Sequence, residues 1–208
     1  TGKDLRQLVD EEIRQPLGFE GFTYGVPLEE QHRVATNVFT GPDPNKTYEW
    51  FLERSFGVKI QEAVELSNDP RFISAVIPAA NIYSTANEAC RFFELLLREG
   101  ELDGVRVFSP RTVRRALAEQ SFLELDTVLM MPVRYGMGFM LGGKRFSLYG
   151  HSTPRAFGHL GFTNVLVWAD PERDLSVAFV NNGKPFITLR LVKWLAIARQ
   201  IARRIPKI

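Results

Sequence analysis

The chain has 208 residues, 45 % apolar and 12 % aromatic, which is enough to bury a sizeable core as one domain or two small ones. Charged residues make up 24 % and nearly cancel to a net charge of +2, so composition gives no reason to expect nucleic acid as a partner. The single cysteine, Cys90, excludes an intrachain disulfide, and no apolar run reaches the roughly 18 residues of a membrane-spanning helix.

Residues 4–15 place Leu5, Leu8, Val9 and Ile13 at helical spacing behind Asp4 as N-cap, and Pro16 and Gly18 stop the helix. The opening Thr1-Gly2-Lys3 has no methionine and reads as an interior position of a longer protein. The lack of a signal peptide is therefore uninformative, and the compartment stays open with the cytoplasm slightly favoured. From residue 19 to 80 the pattern weakens around recurring Gly21, Pro27, Gly41-Pro42, Pro44, Pro70 and Pro78, with a short helix near Tyr48–Ser55. A long irregular stretch in a compact domain usually serves a site. Residues 85–99 form the clearest helix: Thr85 and Glu88 make a T-x-x-E capping box, Ala89, Phe92, Phe93 and Leu96 share a face, and Gly100 follows. Val105–Phe108 is a short apolar run. Ser109-Pro110 then opens another helix, with Val113, Ala116 and Leu117 on one side.

After Pro132 the period changes, and residues 135–141, 157–163, 165–169 and 175–181 read as strands. Asp170-Pro171-Glu172-Arg173-Asp174 is a hairpin connection, and Asn181-Asn182-Gly183 ends the series. Short links imply antiparallel order. Residues 187–204 make an amphipathic closing helix with Leu191, Trp194, Leu195, Ala198, Ile201 and Ile205 on one side. Helices, then strands, then a helix give an α+β class.

Several stretches together resemble the serine β-lactamase-like hydrolases, in particular the class VIII carboxylesterases related to penicillin-binding proteins. They are Thr1-Gly2-Lys3 to Gln15-Pro16-Leu17-Gly18, Ile77-Pro78-Ala79-Ala80-Asn81 through Ser84-Thr85-Ala86, and Gly100–Pro110 (GELDGVRVFSP). Tyr135-Gly136-Met137-Gly138-Phe139, Pro154–Gly161 (PRAFGHLG) and Ala169-Asp170-Pro171-Glu172 complete the set, in order over nearly the whole chain. The resemblance implies the C-terminal portion of that fold, an antiparallel sheet flanked by helices, with the N-terminal strands and nucleophile helix absent. On that reading 1–134 is a mainly helical and loop region, and 135–208 adds the strands and last helix of the same incomplete domain.

The family's chemistry rests on an S-x-x-K motif, a tyrosine motif, and K-T-G or a relative such as H-x-G on a strand beside the serine. No serine in these 208 residues is followed by lysine three positions later, and Tyr83 resembles a lead-in to a helix rather than the catalytic tyrosine. The third motif is present as Gly158-His159-Leu160-Gly161. By resemblance, the N–H of Phe162 is one of two oxyanion donors, and Gly161 lets the substrate approach the backbone. His159 stands at the motif lysine, where an imidazole titrating near neutrality would make activity pH-dependent. Leu160 replaces a hydroxyl residue that helps bind a substrate carboxylate, which favours esters over carboxylated β-lactams. Taken alone, H-x-G reads as a strand histidine beside a bulge glycine; the flanking matches reverse this for Gly161 and Phe162 and leave both readings of His159 standing.

Other constellations are weaker. Ser152, His159 and Asp170 can be written as a triad, but Gly150-His151-Ser152-Thr153-Pro154 lacks the last glycine of a nucleophile elbow. Cys90 reads as buried and inert, and the three histidines have no metal-ligand spacing, so neither metal nor cofactor is expected. The basic closing helix (Arg190, Lys193, Arg199, Arg203, Arg204, Lys207) reads as a solvated face rather than a membrane-surface one. The expected partners are a small ester or amide substrate and either a missing N-terminal segment or chain, or a second copy paired through the 175–181 strand. The alternatives are a non-catalytic binding module of the same fold and a peripheral membrane protein.

Overall fold

The computed structural model describes residues 2–41, 46, 49–50, 53–54, 57–126, 131–145, 147–162, 165–185 and 190–208. Of the helix expected near Tyr48–Ser55, Glu49, Trp50, Glu53 and Arg54 are described and helical, and the rest lies outside the described residues, as do Thr163 of the 157–163 strand and the side chains of Leu191 and Trp194.

The chain opens with α1 (Leu5–Val9), capped as expected by Asp4, whose carboxylate accepts the Gln7 N–H while Gln7 reaches back to the Asp4 N–H. It continues as a π-helical turn over Asp10–Arg14. Next come β1 (Thr23–Tyr24), a 3-10 helix (Leu28–Arg33), β2 (Val38–Thr40), α2 (Ile60–Leu66), α3 (Pro70–Ser74) and β3 (Ile82–Tyr83). The stretch that reads as irregular in sequence is thus stitched by short pairings, β1 with β3 and β2 with a distant strand. Arg6 ties the start to this region by donating to the carbonyls of Tyr24 and Ser74.

Helix α4 (Ala86–Leu97) has the expected capping box at Thr85 and Glu88. The small β4–β5 ladder (Glu101–Leu102, Val105–Arg106) leads to α5 (Pro110–Ala116), capped by the Ser109 hydroxyl with proline in its first turn. The main sheet has six antiparallel strands in sequence order: β6 (Ser121–Asp126), β7 (Met131–Tyr135), β8 (Met140–Leu141), β9 (Phe157–Gly161), β10 (Val165–Asp170) and β11 (Leu175–Phe179). After it come β12 (Gly183–Pro185) and the closing α6 (Arg190–Arg204).

Three details depart from the sequence reading. The 135–141 run is not one strand: β7 ends at Tyr135 and turns through Gly136–Gly138 into β8. The sheet begins at Ser121, ahead of residue 135. Residues 181–183 do not end the strands, because β12 pairs in parallel with β2.

Central β10 is apolar on both faces because both are covered, one by α6 and the other by α4 and α5. Leu166 and Trp168 pack with Tyr149, Leu148 and Ala198 on the α6 side. Val167 and Ala169 pack with Phe93, Leu96 and Val113 on the other. Trp168 is 1 % exposed and stacks on Tyr149 at 5.8 Å. Gly158 sits opposite Trp168 across the β9–β10 ladder. A Cβ there would stand 2.2 Å from the Val167 carbonyl oxygen, so no larger residue fits without moving backbone.

The β10–β11 turn carries a buried ion pair. The Arg173 guanidinium meets Asp170 at 2.7 Å, with both side chains 5 % exposed or less. It also donates to the carbonyls of Ala202 and Ile205, so one arginine closes the hairpin and satisfies the end of α6. Breaking such a pair from one side strands the other charge. Arg173→Ala is therefore expected to lower stability by about 3–5 kcal/mol in urea unfolding. The double replacement Asp170→Leu with Arg173→Met should cost clearly less than Arg173→Ala alone.

Candidate active site

Strand β9 alternates its side chains between two differently covered faces. Leu160 packs into the Trp168 core beneath α6. His159, directly opposite Val167, belongs with Phe157 to the face towards α4. Past Gly161 the chain leaves the sheet, and the Phe162 ring packs with Ile60 of α2 and Phe39 of β2. His159, Leu160, Gly161 and Phe162 all border one cleft of about 1690 Å³. The Leu160 side chain itself packs into the core on the other face.

His159 is exposed and its Nδ1 lies 2.8 Å from the Leu160 carbonyl oxygen. A carbonyl only accepts, so this contact places the proton on Nδ1 and leaves Nε2 as the acceptor of the neutral ring. Gly161 differs from Gly158: a Cβ at Gly161 would meet the Val165 side chain at 3.3 Å and come no nearer than 3.7 Å to the Val165 carbonyl oxygen. Packing demands glycine at 158 and merely prefers it at 161.

The triad of Ser152, His159 and Asp170 is not assembled. Asp170 is engaged by Arg173. His159 pairs across from Val167, three residues along β10 from Asp170, or about 10 Å of strand. Cys90 is half-buried in α4, its sulfur 3.1 Å from the Ser176 hydroxyl on β11. Among the described residues no group of three His, Cys, Asp or Glu side chains could hold a metal, and no helix is long and apolar enough to cross a membrane.

One cleft residue escapes sequence reading. Lys184 on β12 is 5 % exposed, its ammonium 5.9 Å from the centre of the Phe162 ring and hydrogen-bonded to the Asn181 carbonyl at 3.0 Å. Burial pushes its pKa down from the ordinary lysine value. A lysine just past an Asn-Asn-Gly turn reads as solvated in sequence; only the β2–β12 pairing buries it.

The opposite rim is held by Glu88. Its carboxylate accepts from the backbone N–H of Glu20 and Gly21 at 2.5 and 2.8 Å and from Thr85, fastening the 20–21 loop to the start of α4. Burial alone would raise its pKa, but the hydrogen bonds from Gly21, Thr85 and Glu20 outweigh it and the net shift is downward.

The beta-lactamase family profile matches residues 1–202. Esterase/beta-lactamase LipL of Mycobacterium tuberculosis is 28 % identical over 193 residues, which are 88 % of this chain and 44 % of that protein. A penicillin-binding protein homolog from Caulobacter crescentus superposes with a TM-score of 0.70 at 28 % identity, covering 95 % of this chain and 53 % of that one. A family VIII carboxylesterase superposes with a TM-score of 0.76 at 24 % identity, covering 96 % and 52 %; at that identity the likeness speaks for the fold. The chain thus spans about half the length of the relatives it matches.

Because the folded-state pKa of Glu88 is lowered, its stabilisation is complete above the ordinary glutamate range and is lost as pH falls through the folded value. Glu88→Gln should lower stability near neutral pH by about 1–3 kcal/mol. It should also flatten the acid limb of a plot of urea midpoint against pH. An unchanged acid limb would count against the assignment.

Proposed function

The chain belongs to the beta-lactamase family, and we propose that it forms one wall of the active site of a serine hydrolase acting on carboxylic esters. The observation that carries this reading is the end of β9, where His159, Gly161 and Phe162 face a common cleft. The Phe162 N–H is assigned as an oxyanion donor to the tetrahedral intermediate, and Gly161 keeps the approach to it clear. His159, protonated on Nδ1, offers Nε2 to a hydroxyl of the substrate or of the family's tyrosine. The sheet below α6, with Leu160 in its core, keeps this strand straight and rigid.

The serine, lysine and tyrosine come, on this reading, from residues outside these 208. Two features support a complementary element. The cleft of about 1690 Å³ exceeds the roughly 300–1,000 Å³ typical of small-ligand pockets, leaving room for protein as well as substrate. Among the described residues, strand β11 also lies at the edge of the main sheet, the position where a further strand would add. The edge takes either the missing segment or chain, or a second copy.

A second reading, a non-catalytic binding module, is favoured by one observation: S-x-x-K does not occur in these 208 residues. A serine-reactive fluorophosphonate followed by mass spectrometry separates the two. A labelled companion chain or segment supports the hydrolase; purified protein with neither label nor companion, sedimenting as a stable monomer, defeats it. In material that takes up the label, an untreated aliquot should turn over a short-chain aryl ester faster than a chromogenic cephalosporin. Gly161→Ala should keep the melting temperature nearly unchanged while ester turnover falls about tenfold or more. Gly158→Ala should instead fail by losing the fold.

A further inference from the structure

The cleft holds several cations, and they are not equivalent. Arg33 and Arg71 are exposed and already paired with Glu30 at 3.3 Å and Asp69 at 2.8 Å. Lys184 borders the same cleft, is 5 % exposed, and is paired with no carboxylate among the described residues. Its ammonium is held by the Phe162 ring and one carbonyl, which leaves donor capacity and a full charge uncompensated. Burying an ammonium without a counter-charge is costly, and a perturbed, uncompensated group bordering a cleft is a candidate ligand contact.

We infer that Lys184 is a specificity-determining residue that binds the carboxylate of an anionic acyl substrate beside Phe162. The inference rests on the reading of this cleft as the substrate site. It amends the expectation drawn from Leu160: the strand lacks a hydroxyl for a carboxylate, and the charge is met from β12 instead. The preferred ligand is then a half-ester, with its ester at the end of β9 and its carboxylate at β12. The downward push that burial exerts on the ammonium is relieved by a bound anion, which is the direction required for binding.

The test is calorimetric and needs no turnover, so it stands or falls separately from fluorophosphonate labelling. The full chain is titrated with monomethyl adipate, a monoanion, and with dimethyl adipate, its neutral counterpart. The expected result is at least tenfold tighter binding of the monoanion. Lys184→Met should abolish that preference while raising the melting temperature, because an unpaired buried charge has been replaced by an apolar chain of similar length. Lys184→Arg should retain the preference, and His159→Ala should leave it intact. Equal affinity for the two esters in the unaltered chain, or a preference that survives Lys184→Met, overturns the assignment. Loss of the preference in His159→Ala as well would overturn it too, by placing the anion at β9.

Discussion

The pairing of β9 with β10 is the constraint on which the rest depends. A slip of one residue in this ladder would move every side chain of β9 to the other face, sending His159 under α6 and Leu160 towards α4. Gly158 prevents the slip. It is the position where β9 passes over Trp168, and a Cβ there has no room. The indole is among the largest buried side chains and packs between Tyr149 and Phe179. Core packing therefore decides which face of the strand looks into the cleft, through a contact about three residues before the strand's end.

The second determinant is how the cleft's far side is held. Phe162 leaves the sheet and is caught by Ile60, Phe39 and Lys184, from three elements that lie far apart in sequence. Glu88 does the equivalent at the opposite rim with backbone donors from the 20–21 loop. Among its described residues the 19–84 stretch is thus fastened at two places, its start by Glu88 and its middle by the Ile60 cluster.

What was legible in the sequence was local. The caps at Asp4, Thr85 and Ser109 depend on side chains reaching backbone three residues away, so their spacing is visible in one dimension. Strands β9 to β11 were legible because alternation and a turn-forming linker sit side by side. Strand β6 was not: Phe122, Leu123 and Leu125 are exposed, and the pattern SFLELD has no single buried face. The β2–β12 pairing joins residues more than 140 positions apart and leaves no periodic trace. For the same reason His159, Gly161 and Phe162 could be picked out by motif, whereas Lys184 could not. Its burial is a tertiary fact, and its residue type alone argues for solvent.

The two edges of the main sheet are not alike, and the difference bears on where a complementary element would go. Strand β6 carries a register irregularity between Ser121 and Glu124, with Leu123 at φ 50°, which bends the edge out of a regular ladder. Bulges of this kind discourage a further strand. Strand β11 has none: its five residues pair in unbroken register with β10, α4 packs across one face, and among the described residues no strand pairs on its other side. Val180, just beyond it, is 43 % exposed and borders the cleft. An element that added a strand at β11 would therefore arrive beside the cleft that His159 and Phe162 face. On the proposed reading, one element docking at β11 would extend the sheet and reach the cleft together.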